Sequence, residues 1–137
     1  MEAERKMAAD TNGELRELID EWAIAVRAKD IESVMSQYLS DVVAFDVVDP
    51  LEYKGTDMLR QRLTDWFSSF EGPLSFDLHE LHVTAGESTA FCHYLALIVG
   101  PRPDGRTSGY WARGTTCFER RDGEWLVTHE HISMPSG

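Results

Sequence analysis

The stretch Thr115-Thr116-Cys117-Phe118-Glu119-Arg120-Arg121-Asp122-Gly123-Glu124-Trp125-Leu126-Val127-Thr128-His129 decides the architecture. Two runs rich in β-branched and aromatic residues flank Arg121-Asp122-Gly123-Glu124, and an Asp-Gly centre between such runs is a hairpin turn. The runs extend from about residue 107 to 121 and from 124 to 134. Working back towards the N-terminus, Ala85-Gly86-Glu87-Ser88 forms a second hairpin turn, between strands placed at 74–85 and 89–99. Pro101-Arg102-Pro103-Asp104-Gly105 is a longer loop joining the two hairpins. From Leu74 onward the chain therefore reads as an antiparallel meander.

Upstream of Leu74 the apolar period lengthens. Leu15, Leu18, Ile19, Trp22 and Val26 fall on one face of a helix, preceded by Thr11 and Glu14 at capping-box spacing. Residues 1–10 carry no apolar period and read as a disordered tail, leaving 11–137 as one domain. Asp30 caps a second, short helix bearing Val34, Met35, Tyr38 and Leu39. Val42 to Val48 forms a strand that Asp49-Pro50 ends, because proline cannot donate to a ladder. Leu59, Leu63, Trp66, Phe67 and Phe70 stripe a third helix, stopped by Gly72-Pro73. Helices first and a meander afterwards give an α+β fold with helices on one face of the sheet.

Composition narrows the function classes. The chain has 137 residues, 42% of them hydrophobic, enough for one core. Thirteen Lys and Arg against 24 Asp and Glu set the net charge at −11, which opposes nucleic-acid backbones and anionic membrane surfaces. No apolar run approaches the roughly 20 residues of a membrane span. Residues 1–10 contain no signal-peptide core, so a cytoplasmic location is expected. Cys92 and Cys117 sit in apolar strands and read as buried thiols, not as a disulfide framework.

Several local patterns then coincide in order. Arg27-Ala28-Lys29-Asp30-Ile31 closes the first helix and is followed by Tyr38-Leu39-Ser40-Asp41-Val42-Val43-Ala44-Phe45-Asp46, Lys54-Gly55 and Asp122-Gly123-Glu124-Trp125-Leu126-Val127. Trp111-Ala112-Arg113-Gly114-Thr115 and His129-Glu130-His131-Ile132-Ser133 complete the set. This succession resembles the nuclear-transport-factor-2-like superfamily, in particular its SnoaL-like, ketosteroid-isomerase-like branch. The resemblance implies a cone, in which N-terminal helices pack on a strongly curved, mostly antiparallel sheet that encloses a pocket. It also implies a homodimer formed through the sheet, for which Tyr110, Thr116 and Phe118 are the expected outward groups. The superfamily hosts isomerases, cyclases, dehydratases and non-catalytic binding modules, and fold alone does not choose among them.

The resemblance puts Asp46 where ketosteroid isomerases carry the aspartate that shuttles a proton beside a carbonyl. A carboxylate in an apolar cavity is a stronger base, because desolvation disfavours its charge. A rim aspartate bonded to the turn near Pro50 is the alternative. Trp22 falls where those enzymes carry a donor tyrosine, and an indole N–H cannot act as an acid. In Tyr110 to Thr115 strand alternation puts Trp111, Arg113 and Thr115 on one face. If that face is concave, Arg113 holds a carboxylate or enolate, or else pairs with Asp46.

By the same alternation Trp125, Val127, His129, His131 and Ser133 share a face, with Glu130 and Ile132 opposite. His129 and His131 are then candidates for acid/base work, or hydrogen-bonded bystanders. With Asp46 they could ligate Zn²⁺, but no further cluster supports a metal, and none is assigned. His93 reads as a satisfied core group, and His79 and His82 as lying on opposite faces. Tyr38, Trp66, Trp22 and Trp111 pack or line the pocket.

The expected activity is general acid/base chemistry, without an organic cofactor, on a small carbonyl- or carboxylate-bearing molecule. Asp46 would move the proton, Arg113 would hold the oxygen, and His129 with His131 would assist. The alternative is a non-catalytic small-ligand-binding or dimeric interaction module of the same fold.

Overall fold

The computed structural model describes residues 2–136, apart from the side chains of residues 7–9. In chain order the elements are α1 (Glu2–Arg27), α2 (Ile31–Met35), β1 (Tyr38–Phe45), β2 (Tyr53–Lys54), α3 (Thr56–Ser68), β3 (Ser75–Ala85), β4 (Thr89–Pro101), β5 (Thr107–Arg121) and β6 (Glu124–Ser133). The strands form one curled, unclosed sheet in the order β2-β1-β6-β5-β4-β3. Every pairing is antiparallel except β1 with β6, which is parallel. The fold is the expected α+β arrangement, with helices against the concave side of a mostly antiparallel sheet.

The stripe on α1 sits where its spacing puts it: Leu15, Ile19 and Val26 are buried in the main core. Burial of side chains of this size contributes roughly 1.5–3 kcal/mol each. The helix begins at Glu2, however, and runs through the expected capping box at Thr11. Glu2, Ala3, Glu4, Arg5 and Lys6 are all exposed, so this extension rests on the helix propensity of Ala, Glu, Arg and Lys and not on packing. Asp30 does cap α2, accepting from the Ser33 backbone N–H at 3.2 Å. Tyr38 and Leu39 belong to β1 and not to α2, because the chain turns extended after Gln37, whose carbonyl accepts from Val127 N–H of β6.

Two register shifts set which side chains look inward. Along β6, Cys117 of β5 pairs with His129 and Phe118 with Val127, so Thr128 is an extra residue. On β3 the pairings His79↔Leu95 and His82↔His93 leave one residue over, and Glu80 takes a left-handed φ of 54° there. A bulge of this kind reverses the inward and outward assignment of every later residue on its strand.

Candidate functional site

The concave face of the sheet and helices α1 and α3 enclose a cavity of about 90 Å³. Ala96 and Ala112, cross-strand partners on β4 and β5, make a low floor between the rings of Trp22, Trp66, Phe76, Tyr94 and Tyr110. Val47 and Met134 also line it, and both are exposed, which marks the mouth.

Glu130 of β6 is the one buried carboxyl among the described residues. Only 8% exposed, it accepts a hydrogen bond from the Tyr38 hydroxyl on Oε2 at 2.8 Å. Burial pushes its carboxyl up from 4.5 to about 7; the Tyr38 bond opposes this, and the negative charge of Asp46 adds to it. When protonated, this carboxyl can donate a hydrogen bond while still accepting from Tyr38.

Beside it, the Tyr94 hydroxyl is buried and makes no hydrogen bond of good geometry among the described residues, the Thr116 side chain being near but poorly aligned. Leaving a buried hydroxyl unpaired costs roughly 1–3 kcal/mol, so its placement calls for an explanation. Gly114 makes that placement possible: a Cβ there would lie 2.2 Å from the Tyr94 ring. Burial also holds both phenols well above their ordinary range, keeping Tyr38 and Tyr94 as O–H donors at neutral pH.

Nearer the mouth, Asp46 lies just past the end of β1. Its Oδ2 accepts from Arg62 Nε of α3 at 2.9 Å, and its Oδ1 accepts from the Val47 N–H at 2.7 Å. The two side chains are 19% and 15% exposed, a pair shielded from water but not dry. Trp66 Nε1 donates to the Tyr110 hydroxyl at 3.0 Å, which leaves the Tyr110 proton free. The assembly offers a carboxyl group fixed by a guanidinium, a second carboxyl raised to about 7, and phenol donors in an aromatic setting.

Of the residues singled out from the sequence, Asp46, Trp22, Tyr38 and Trp66 line this cavity. Trp111, Arg113 and Thr115 do not: all three are exposed on the convex face, and Arg113 donates to Ser133 Oγ at 3.1 Å. Alternation paired them correctly with one another, but the bulky residues took the outer side, because Ala112 and Gly114 leave room inside for Tyr94. The expected outward groups Tyr110, Thr116 and Phe118 accordingly point inward.

His129 and His131 also face outward, since the extra residue Thr128 inverts the strand after Val127 and brings Glu130 and Ile132 inside. His129 Nδ1 lies 2.6 Å from the Val43 carbonyl, and Phe45 packs edge-on against both imidazoles. His93 is exposed and not a core group, and the β3 bulge puts His79 and His82 on the same outer face. Among the described residues no group of three or more His, Cys, Asp or Glu side chains is placed to hold a metal ion.

Glu130, Arg62, Tyr94 and Tyr110 are the cavity groups that sequence reading left out. The available signal was Gly114, since a glycine inside a strand marks close approach by another group.

None of the described helices is long and apolar enough to cross a membrane. The family model described as the SnoaL-like domain matches residues 15–137. Among solved structures, a nuclear-transport-factor-2-like protein of unknown function from Pseudomonas putida KT2440 is 32% identical, with a TM-score of 0.85 over 94% of this chain and 89% of that one. A candidate dehydratase of the same family from Streptomyces avermitilis superposes with a TM-score of 0.81 at 19% identity, covering 93% of this chain and 99% of its own. A related protein with a cystatin-like fold from Novosphingobium aromaticivorans gives 0.82 at 17% identity, over 98% and 88% of the two chains. No curated protein matches the sequence.

Proposed function

The chain belongs to the SnoaL-like domain family, and we propose that it moves a proton beside the carbonyl of a small organic molecule held in the concave cavity. The observation that carries this reading is Glu130, a buried carboxyl pushed to about 7 beside the unpartnered Tyr94 hydroxyl. Neutral Glu130 and Tyr94 are two hydrogen-bond donors fixed before substrate arrives. A carbonyl oxygen set between them gains most as it becomes an enolate, the arrangement that lowers a barrier instead of merely tightening binding. Asp46, held in place by Arg62, is the carboxyl group nearest the mouth and takes the α-proton. Glu130 and Tyr94 thus take the oxygen-holding part expected of Arg113, Arg62 positions the base, and no part falls to His129 or His131.

An apolar cavity of about 150 Å³ takes one benzene ring. At about 90 Å³ this cavity takes a smaller group, or a ring that protrudes through the mouth at Val47 and Met134. The test needs no natural substrate. Exchange of the α-protons of cyclopentanone in D₂O, followed by NMR, reads proton abstraction directly. Wild type should accelerate it, Asp46→Asn should abolish the acceleration, and Tyr94→Phe should reduce it at least tenfold. Equal exchange with and without protein, while 4-nitrophenol still binds and is lost on Tyr94→Phe, would instead favour a binding module.

The convex face supports a second reading, that of a homodimer. Phe45, Phe91, Leu95 and Trp111 are exposed on it, each by more than a third. Leu95 and Trp111 are diagonal neighbours on adjacent strands, and large apolar side chains left open side by side on one sheet face favour an interface.

A further inference from the structure

Among the described residues Arg62 is the one Lys or Arg on the cavity wall, to which α3 also brings Leu63 and Trp66. An arginine has five N–H donors. Arg62 uses only Nε, on Asp46 Oδ2, although its side chain is just 15% exposed. Its two Nη groups make no hydrogen bond with any described residue, and neither is sealed off as a buried, unpartnered atom. Asp46 is also its one ion-pair partner among these residues. Asp49 and Asp65 are exposed and form no ion pair with it, and Asp65 accepts from Gln61 Nε2 instead.

Holding Asp46 therefore leaves the fork of the guanidinium unused. Both Asp46 oxygens are already engaged, Oδ2 by Nε and Oδ1 by the Val47 N–H. The Nη1–Nη2 fork matches a second carboxylate, which it holds by two parallel N–H···O bonds. The other polar groups of the wall point the same way. The Tyr94 and Tyr110 hydroxyls are further donors without a well-aligned protein acceptor. The acceptors Asp46 Oδ1, Asp46 Oδ2 and Glu130 Oε2 each receive a hydrogen bond from the protein. A molecule that satisfies this wall brings acceptors at both ends, and the end beside the guanidinium favours an anion.

We propose that the cavity takes a short oxo acid, its ketone oxygen against Tyr94 and Glu130 and its carboxylate on the Nη1–Nη2 fork of Arg62. This names the substrate class of the proton-transfer reading above and rests on it. The fork and Asp46 meet on one guanidinium, so the carboxylate and the carbon that loses its proton lie close together. A 4-oxo acid suits that spacing, because one methylene separates its carboxylate from its α-carbon. Asp46 takes the proton from that carbon, the C–H electron pair forms the enolate, and return of a solvent proton restores the ketone, with nothing oxidised or reduced. The net charge of −11 slows an anion's approach. Exposed charges are screened beyond roughly 8 Å at physiological salt, so the selection is made at the fork.

The probes 4-oxopentanoate, its methyl ester and 2-pentanone share the ketone and differ at the other end. Deuterium exchange at C3 in D₂O, followed by NMR on the intact chain and corrected for uncatalysed exchange, gives kcat/KM for each. The charge-assisted fork should favour the acid over both neutral ketones by roughly 10- to 100-fold. Arg62→Met also loosens Asp46 and should slow all three, but the acid-to-ester ratio, read within one protein, should fall to about one. If that variant exchanges none of them, displacement of 4-nitrophenol gives the same ratio as affinities. A wild type that exchanges the ester or 2-pentanone as fast as the acid overturns the oxo-acid class and leaves proton transfer standing. A preference for the acid that survives Arg62→Met overturns the fork. Exchange of none of the three, nor of cyclopentanone, overturns the proton-transfer reading and this inference with it.

Discussion

Glu130→Gln isolates the energetic consequence of burying an acid under the sheet. In the unfolded chain this carboxyl ionises near its ordinary 4.5, whereas in the fold it does so at about 7. Below both values the acid is neutral in both states and burial is unperturbed by charge. Between them the unfolded state releases its proton while the folded state keeps it, so the unfolded state binds fewer protons and stability falls as pH rises. Above about 7 the loss is complete. At about 1.4 kcal/mol per pH unit the interval amounts to about 3 kcal/mol.

Glutamine has the same shape, still accepts from Tyr38, and does not titrate. The stability of Glu130→Gln relative to wild type should therefore rise by about 3 kcal/mol between about pH 4 and about pH 8. Urea unfolding at fixed protein concentration across that range measures it, and taking the difference between the two proteins cancels the titration of groups they share. In an Asp46→Asn background the rise should shrink, because the Asp46 charge is one of the causes of the elevated value. A difference that stays flat with pH, or that grows towards acid, would refute the reasoning. It would mean that Glu130 is hydrated or compensated in a way the Tyr38 contact does not provide.

Gly114→Ala should destabilise by about 2–3 kcal/mol in urea unfolding, since the new methyl would sit 2.2 Å from the Tyr94 ring and force that buried side chain to shift. Tyr94→Phe removes an unpaired buried hydroxyl and should leave stability unchanged or raise it by about 1 kcal/mol, while weakening 4-nitrophenol binding at least tenfold. A double-mutant cycle of Asp46→Asn with Arg62→Met should return a coupling of about 1 kcal/mol, as befits a pair that is shielded but still wetted. Arg113→Ala should leave 4-nitrophenol affinity untouched, because its side chain is on the other side of the sheet.

The order of elements was legible because it depends on period, which a side-chain pattern records directly. The α1 stripe, the Asp30 cap and the hairpin turn at Asp122-Gly123 each carry a local signal strong enough to be read without neighbours. The first turns of α1 were missed for the opposite reason. Residues 2–6 are exposed, and no apolar stripe like that of Leu15 to Val26 announces the helix there. The short strand β2 was missed too, because its two residues are too few to show a period.

The site was legible only in part, because alternation gives the phase of a strand but not which side is inside. On β5 the question was decided by bulk: Ala112 and Gly114 leave the space that Tyr94 fills, while Trp111 and Arg113 stay out. On β6 even the phase changes within the strand. Trp125 and Val127 point inward as their apolar character demands, and Thr128 then inserts one position, with nothing in its identity to distinguish it from a laddered threonine. Counting by twos from Val127 delivers His129 and His131 to the cavity; counting across the bulge delivers Glu130 and Ile132.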